Sequence, residues 1–364
     1  DVAVAADLSG SIYGAWLWAQ TLRIDDQIGG SVNIAMPSMM TQPWNPVAGS
    51  NWVYDSMPMR GVTDMAVVYD PYTGLFLPMR LASADVYIQE GLPVGQTQDW
   101  VNLEFVSENT VPDDAWVDWD PENQVFLTAG EVYTETETAK AKVVMRYPEG
   151  FPESVSWHDG SQFSLADMVF SVALYFDRAQ EESPIFDPGA VGDFDAFKQA
   201  FKGWRIASTD PVVVEYYTDA FALDAANNVN NFRAMYPCLD GMYDYGTGAW
   251  HNMALAWLAE QNGELAFSDS KSEELEVEHT SLIGGPSLEI LKTRLDQAQE
   301  ESFIPYEPTL SQFLGDGEVE SRYANLQEWY RVREHFYLGT GPFFLQQVFP
   351  VEGTLILQRN PNYP

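Results

Sequence analysis

The densest group of side chains that could do chemistry lies in residues 110–121, where carboxylates are interleaved with aromatic rings. Two carboxyl groups about 5 to 10 Å apart, one protonated and one ionised, can cleave a glycosidic bond. The candidates here are Asp113, Asp114, Asp118 and Asp120. A chain with 54 acidic residues contains many such pairs by chance. An acidic carbohydrate-active hydrolase is therefore an alternative, and the main expectation is a protein that is not an enzyme and has no catalytic residue.

The same acidic stretch could also bind calcium. A full calcium loop needs a Gly and a terminal Glu at fixed spacing, and the stretch lacks both. No two of the four histidines stand four residues apart, as a helical zinc site would require. The alternation from Trp116 to Asp120 predicts instead an edge strand that displays its carboxylates on one face. We expect no metal and no cofactor.

Two further motifs are better explained by chance. Ser268 and Lys271 have the spacing of a serine nucleophile and its activating lysine, but the partner motifs of such enzymes are missing. The Gly-Thr-Gly triplets that begin at Gly246 and Gly339 lack the rest of a dinucleotide fingerprint. Neither pattern predicts a reaction or a phosphate site.

Aromatic residues in an early Pro-rich segment are stronger candidates for contact with a ligand. Rings in such a loop cannot use a regular helical or sheet face, so they either plug the loop onto the core or line a cleft. The residue types alone do not decide between these two alternatives. The candidates are Trp44, Asn45, Trp52 and Tyr54.

The elements that must position these side chains are clearest in residues 157–171. Asp159-Gly160 predicts a turn. Ser164 and Asp167 form a capping-box pattern, so a helix should begin near Leu165. Its predicted buried stripe is Leu165, Met168, Val169, Val172 and Phe176, and its predicted outward residues are Asp167, Ser171 and Arg178. Upstream, residues 141–147 predict a strand.

His158 could be a ligand or a base, since it stands beside Asp159. A histidine in a strand-to-helix loop more commonly makes local hydrogen bonds. We therefore interpret Trp157 and His158 as residues that shape the turn.

Elsewhere the pattern predicts further elements. Residues 31–35 predict a first strand, and residues 204–217 predict two strands around Asp210-Pro211. Helices are predicted at 12–22, at 253–260, from a cap at Ser287, and around Leu326 and Trp329.

The segment Trp157, His158, Asp159 and Gly160 resembles the tryptophan-histidine-aspartate-glycine signature of extracellular solute-binding protein family 5, the peptide, nickel and oligosaccharide receptors of ABC importers. A second segment is similar to that family's glycine-threonine-glycine-proline strand and its arginine-asparagine-proline-asparagine-tyrosine ending. It comprises Gly339, Thr340, Gly341 and Pro342, a predicted hairpin through Pro350 and Gly353, and Arg359, Asn360, Pro361, Asn362 and Tyr363. A weaker similarity lies at residues 68–78.

The resemblance implies an α/β fold of the periplasmic-binding-protein type (type II, cluster C), with a mixed sheet flanked by helices. It also implies binding without chemistry, in which two hinged lobes enclose a peptide or oligosaccharide-like solute and an ABC permease recognises the closed form. The early loop borders the ligand groove in that family, which makes Trp44, Asn45, Trp52 and Tyr54 the predicted ligand-binding residues. The implied location is extracellular, periplasmic or on the cell surface.

The predicted organisation has four parts. Residues 1–30 form an extension of unknown role, 31–219 the core of lobe I, 220–335 a mainly helical insertion, and 336–364 a return hairpin that leads towards a second lobe. The family continues into that lobe after the hairpin. We therefore expect this chain to be a fragment or half of a receptor, with a second polypeptide supplying the other wall of the groove.

A self-assembling surface protein built on a receptor lobe is the other alternative, with exposed rings such as Trp116 and Trp119 as its contacts.

The charge and composition limit the partners. The net charge of -36 opposes binding to nucleic acid and to anionic membrane surfaces. No run of about 18 apolar residues is present, so we expect no membrane span.

Cys238 is the single cysteine, which excludes an intrachain disulfide. The first residues lack the basic and apolar segments of a signal peptide, and we expect that peptide to be absent or removed.

Overall fold

The computed structural model describes residues 30, 31, 33–49, 52–70, 73–230, 236 and 248–363. The helix predicted at 12–22 lies outside the described residues. The strand predicted at 31–35 is wrong for the described part of that segment, which has no regular secondary structure.

A seven-stranded mixed sheet forms the centre of the molecule. Its strands are β3 (Ser83–Gln89), β4 (Val101–Val106), β6 (Trp116–Asp120), β7 (Val125–Thr128), β9 (Ala141–Arg146), β10 (Phe201–Thr209) and β11 (Val212–Thr218). Their order is β4-β3-β9-β11-β10-β6-β7. β3 and β4 run parallel, and the other neighbours pair antiparallel. The predicted α/β class, with a mixed sheet flanked by helices, is confirmed.

Within the described residues, eight further strands form four two-stranded sheets. They are β1 (Val67–Tyr69) with β2 (Phe76–Pro78), β5 (Asn109–Thr110) with β8 (Thr138–Ala139), β12 (Leu265–Ala266) with β13 (Glu278–His279), and β14 (Phe343–Phe349) with β15 (Thr354–Arg359). The last pair is the hairpin predicted through Pro350 and Gly353.

The described helices surround these sheets. They are α1 (Val53–Val62), α2 (Ala129–Val132), α3 (Phe151–Ser154), α4 (Leu165–Asp177), α5 (Pro188–Lys198), α6 (Ala225–Val229), α7 (Trp250–Gln261), α8 (Asp269–Leu275), α9 (Ser287–Glu301), α10 (Glu307–Leu310) and α11 (Glu318–Arg333), with a 3₁₀ turn at Ser311–Phe313. The helices predicted in residues 253–333 are confirmed. The cap predicted for α9 is wrong by one position, because Pro286 precedes the helix and the Ser287 hydroxyl accepts a hydrogen bond from the Ser281 amide instead.

Helix α4 packs on the sheet and is covered on its other side as well. The three side chains predicted to face solvent, Asp167, Ser171 and Arg178, are all buried. For Asp167 the cause is the packing of α7 and α11, which supply the Trp250 amide and the Arg322 guanidinium as its partners. Ser171 bonds the Met168 carbonyl of its own helix, and Arg178 pairs with Asp187 at the start of α5. A polar side chain on a helix is exposed to solvent only when no other element packs on that face of the helix.

Strand β6 is not the predicted edge strand, because β7 lies outside it. Its pairing with β7 has a register shift between Trp116 and Asp118. Such an irregularity changes the side to which the following residues point. Trp116 stacks on Phe126 with ring centroids 4.9 Å apart, and Trp119 meets the same ring edge to face at 4.8 Å. The two rings predicted as exposed contacts thus belong to the core and its margin.

Candidate functional site

The turn at residues 157–161 closes through the backbone. The Trp157 amide donates to the Ser161 carbonyl at 2.8 Å, and the Gly160 amide donates to the Trp157 carbonyl at 2.9 Å. Gly160 has φ +92°, a conformation that a side chain would strain. The Asp159 carboxylate accepts from the Ser161 amide at 2.9 Å and from its hydroxyl at 3.0 Å. The predicted turn is confirmed.

Helix α4 begins at Leu165 behind the predicted capping box. The Ser164 amide donates to Asp167 Oδ2 at 3.0 Å. The indole Nε1 of Trp157 donates to the same oxygen at 3.0 Å. The first residue of the turn is therefore fixed to the first turn of the helix.

The second signature segment lies directly against the first. The His158 amide donates to the Gly339 carbonyl at 3.0 Å, and its Nε2 lies 3.0 Å from the Gly341 carbonyl. Asn360 Nδ2 donates to that same Gly341 oxygen at 3.1 Å, and the Asn360 amide donates to the Pro342 carbonyl at 2.7 Å. Two segments that stand far apart in the sequence thus form one hydrogen-bonded junction.

The glycines of the second segment are required by close packing. A Cβ atom on Gly339 would lie 2.0 Å from the carbonyl oxygen of Val62, at the end of α1. A Cβ atom on Gly341 would lie 2.3 Å from the carbonyl oxygen of Thr63. Real Cβ atoms essentially never approach backbone this closely, so no other residue fits without movement. Between them, the Thr340 hydroxyl lies 2.8 Å from the Tyr236 hydroxyl.

A buried ion pair joins this junction to the helical region. Arg322 on α11 donates from both terminal nitrogens to Asp167, at 2.7 and 2.8 Å. The Trp250 amide at the start of α7 donates to Asp167 Oδ1 at 3.0 Å. Arg322 also contacts Glu318, with Nε 2.9 Å from the carboxylate. Sequence reasoning missed Arg322, because nothing in its local pattern marks a long-range carboxylate partner.

His251 extends the network to Asp159. Its Nε2 donates to Asp159 Oδ2 at 2.8 Å, while its Nδ1 lies 3.2 Å from an Arg322 nitrogen that can only donate. The Nε2 atom therefore carries the proton that His251 shares with Asp159. Burial raises the pKa of Asp159, but its interactions with His251 and with Ser161 outweigh burial and hold that pKa below its usual value. The Ser161 hydroxyl donates to Asp159 rather than to His251. Ser161 and His251 are therefore not arranged as a nucleophile and its base.

Two of the predicted ligand-binding residues lie inside the molecule. Trp44 is fully buried and meets Tyr337 edge to face at 5.4 Å. Asn45 donates from Nδ2 to the carbonyls of Phe267 and Thr280, at 3.2 and 2.8 Å. The Asn45 contacts attach the early loop to the segment between α7 and α9.

The other two are accessible. Trp52 is 36% exposed, and Tyr54, in the first turn of α1, is partly buried. Their rings meet edge to face at 5.5 Å, and Trp52 Nε1 donates to the Ser38 carbonyl at 3.1 Å. A ligand-binding role stays a prediction for all four residues, and the accessible pair offers the surface for it.

Three of the four acidic candidates for hydrolysis, Asp114, Asp118 and Asp120, are engaged by neighbours. Both carboxylate oxygens of Asp114 accept from Arg205 Nη1, at 2.7 and 2.9 Å, and Asp118 lies 3.2 Å from the Lys198 amine. Hydrogen bonds from the Asn123 side chain and backbone lower the pKa of Asp120. A general acid needs a raised pKa instead. Within the described ranges, no three His, Cys, Asp or Glu side chains are placed to hold a metal ion.

Ser268 and Lys271 also have other partners. The Ser268 hydroxyl caps α8 by accepting from the Lys271 amide at 3.3 Å. The Lys271 amine donates to buried Glu260 at 2.6 Å, so its charge is met by a carboxylate. This pairing leaves the lysine unsuited to activate the serine.

Among the residues that the structure covers, no helix has the length and apolar character to cross a membrane. Comparison of the chain with protein-family models gives no match. No curated protein matches it either.

Proposed function

We propose that this chain is the solute-binding part of an extracellular or periplasmic receptor that delivers a peptide or oligosaccharide-like solute to an ABC permease. The observation that carries the proposal is the junction between His158 and the carbonyls of Gly339 and Gly341. The segments 157–160 and 339–342 both resemble one receptor family, and they are in contact. Segments that matched by chance would have no reason to meet.

The character of the site favours binding over chemistry. In the junction His251 bonds Asp159, Arg322 bonds Asp167, and His158 Nε2 bonds the Gly341 carbonyl. A network of this kind fixes the backbone of the turn and of the strand that follows Gly339. We therefore assign the network a structural role and place the contact with the solute on a separate surface.

Trp52 and Tyr54 supply the proposed surface. An exposed indole next to a phenol can stack on a sugar ring or pack against a peptide side chain. The indole is already oriented by its bond to Ser38, so little side-chain freedom is lost on binding.

Native mass spectrometry with defined mixtures of short peptides and of oligosaccharides tests the proposal. We expect an adduct with one solute class and a single binding site. Trp52→Ala should weaken that binding at least about tenfold, the loss of one well-packed aromatic contact. Phe105→Ala is the matched control, because Phe105 is a similarly exposed ring on β4.

No adduct with either class would contradict the proposal. Equal loss of affinity in both variants would contradict the assignment of the surface.

A further inference from the structure

Three side chains lie around the ring of Phe344 and a fourth packs on one of them, and we call them, with Phe344, the Phe344 cluster. The Arg333 guanidinium lies 4.9 Å from the Phe344 ring centroid and 5.6 Å from that of Trp329. Trp329 meets Phe344 edge to face at 6.1 Å, and the His158 ring lies 6.1 Å from Phe344. His335 packs on Trp329 at 5.5 Å.

Three polar atoms of this cluster are buried without a hydrogen-bond partner among the described residues. They are Trp329 Nε1, Arg333 Nε and His158 Nδ1. A buried polar atom left without a partner costs about 1 to 3 kcal/mol, so several around one ring call for an explanation.

Among the described residues, no carboxylate lies within ion-pair distance of Arg333, although acidic residues outnumber basic ones by 54 to 18. Arg322, eleven residues earlier on the same helix, shows the contrast, since Asp167 and Glu318 both face it.

The types of the three atoms define the chemical groups that they can bind. The indole and guanidinium nitrogens are donors, and one of them is charged, so they fit a carboxylate. His158 Nε2 donates to Gly341, which leaves Nδ1 as an acceptor for a hydroxyl. Burial lowers the pKa of His158 to about 4, so this acceptor is present at neutral pH.

We propose that the Phe344 cluster binds a small carboxylate that carries an adjacent hydroxyl group. The carboxylate lies against Arg333 and Trp329, and the hydroxyl donates to His158. This site is separate from the Trp52 surface and does not rest on the proposed function.

Glycolate is the probe, and chemical-shift perturbation of the full chain is the measurement. We expect saturable binding of glycolate, weaker binding of acetate, which lacks the hydroxyl, and none of glycolamide, which lacks the charge. Arg333→Gln should weaken glycolate binding about tenfold or more, as expected for loss of a charged hydrogen bond. Arg333→Lys should retain part of the affinity.

Arg331→Gln is the matched control, because Arg331 lies two positions from Arg333 on the same helix, is exposed and pairs with Glu328. Its affinity for glycolate should equal that of the wild type. The proposal is overturned by an absence of saturable glycolate binding, by equal binding of glycolamide, or by equal loss in both arginine variants. An ordered water that alone bridges Trp329 and Arg333 in a crystal soaked with glycolate would also overturn it.

Discussion

The Nε2 atom of His158 lies 3.0 Å from the carbonyl oxygen of Gly341, across 183 positions of the chain. This contact converts two local motifs into one junction. The turn at 157–161 is held by its own backbone, whereas the strand after Gly339 is held by the turn and by the end of α1. Loss of either segment should therefore disturb the other.

Gly339→Ala should destabilise the fold by about 3 to 5 kcal/mol, because the added methyl overlaps the Val62 carbonyl and backbone must shift. Urea unfolding followed by tryptophan fluorescence measures the change. Gly192→Ala is the control, since its added Cβ would meet open space on helix α5. That control should be neutral or stabilising by about 0.5 to 1 kcal/mol. Equal effects at both positions would show that the close approach to α1 is unimportant.

Arg322→Met should cost about 3 to 5 kcal/mol, because it leaves Asp167 charged and buried without its cation. Combining it with Asp167→Asn removes that charge as well. The double variant should then lose less stability than the sum of the two single losses. Additive losses in urea unfolding would contradict a direct interaction between the two side chains.

His335 should make stability depend on pH in the acid range. Burial lowers its pKa to about 4, although its Nε2 bonds the Leu345 carbonyl. The unfolded chain takes up the proton near pH 6.5 and the folded chain does not, so stability falls as pH falls from about 6.5 to 4. The loss is about 3 kcal/mol.

The measurement compares wild type with His335→Gln at several pH values in this window. Asp64 also titrates in this range, because burial raises its pKa to about 6. The folded chain therefore takes up this proton before the unfolded chain does, which adds stability as pH falls. The difference between the two proteins cancels that contribution. We expect the stability of the wild type to decline relative to the variant as pH falls, and a constant difference would contradict a neutral buried His335.

Local chemistry determined much of this fold in advance. The turn at Asp159-Gly160, the start of α4 at Leu165, strands β9, β10 and β11 and the β14–β15 hairpin follow from turn residues, a capping box and runs of β-branched residues. Such signals act within a few residues of each other, so they can be recognised along the chain.

Contacts between distant segments could not be predicted in the same way. Asp167 has the pattern of a helix cap with an exposed carboxylate, and its burial depends on Arg322, 155 positions later. Trp44 has the pattern of a loop aromatic, and its burial depends on a packing partner, Tyr337, in the last quarter of the chain. A carboxylate or an indole has the same local pattern whether or not another element covers it.

The most direct test of the account is a calorimetric titration of the full chain with the solute found by native mass spectrometry, followed by recovery of that solute. Binding without chemistry predicts a single saturable site, an affinity reduced by Trp52→Ala but not by Phe105→Ala, and solute recovered intact. Cleaved or modified solute, or no saturable binding, would contradict it.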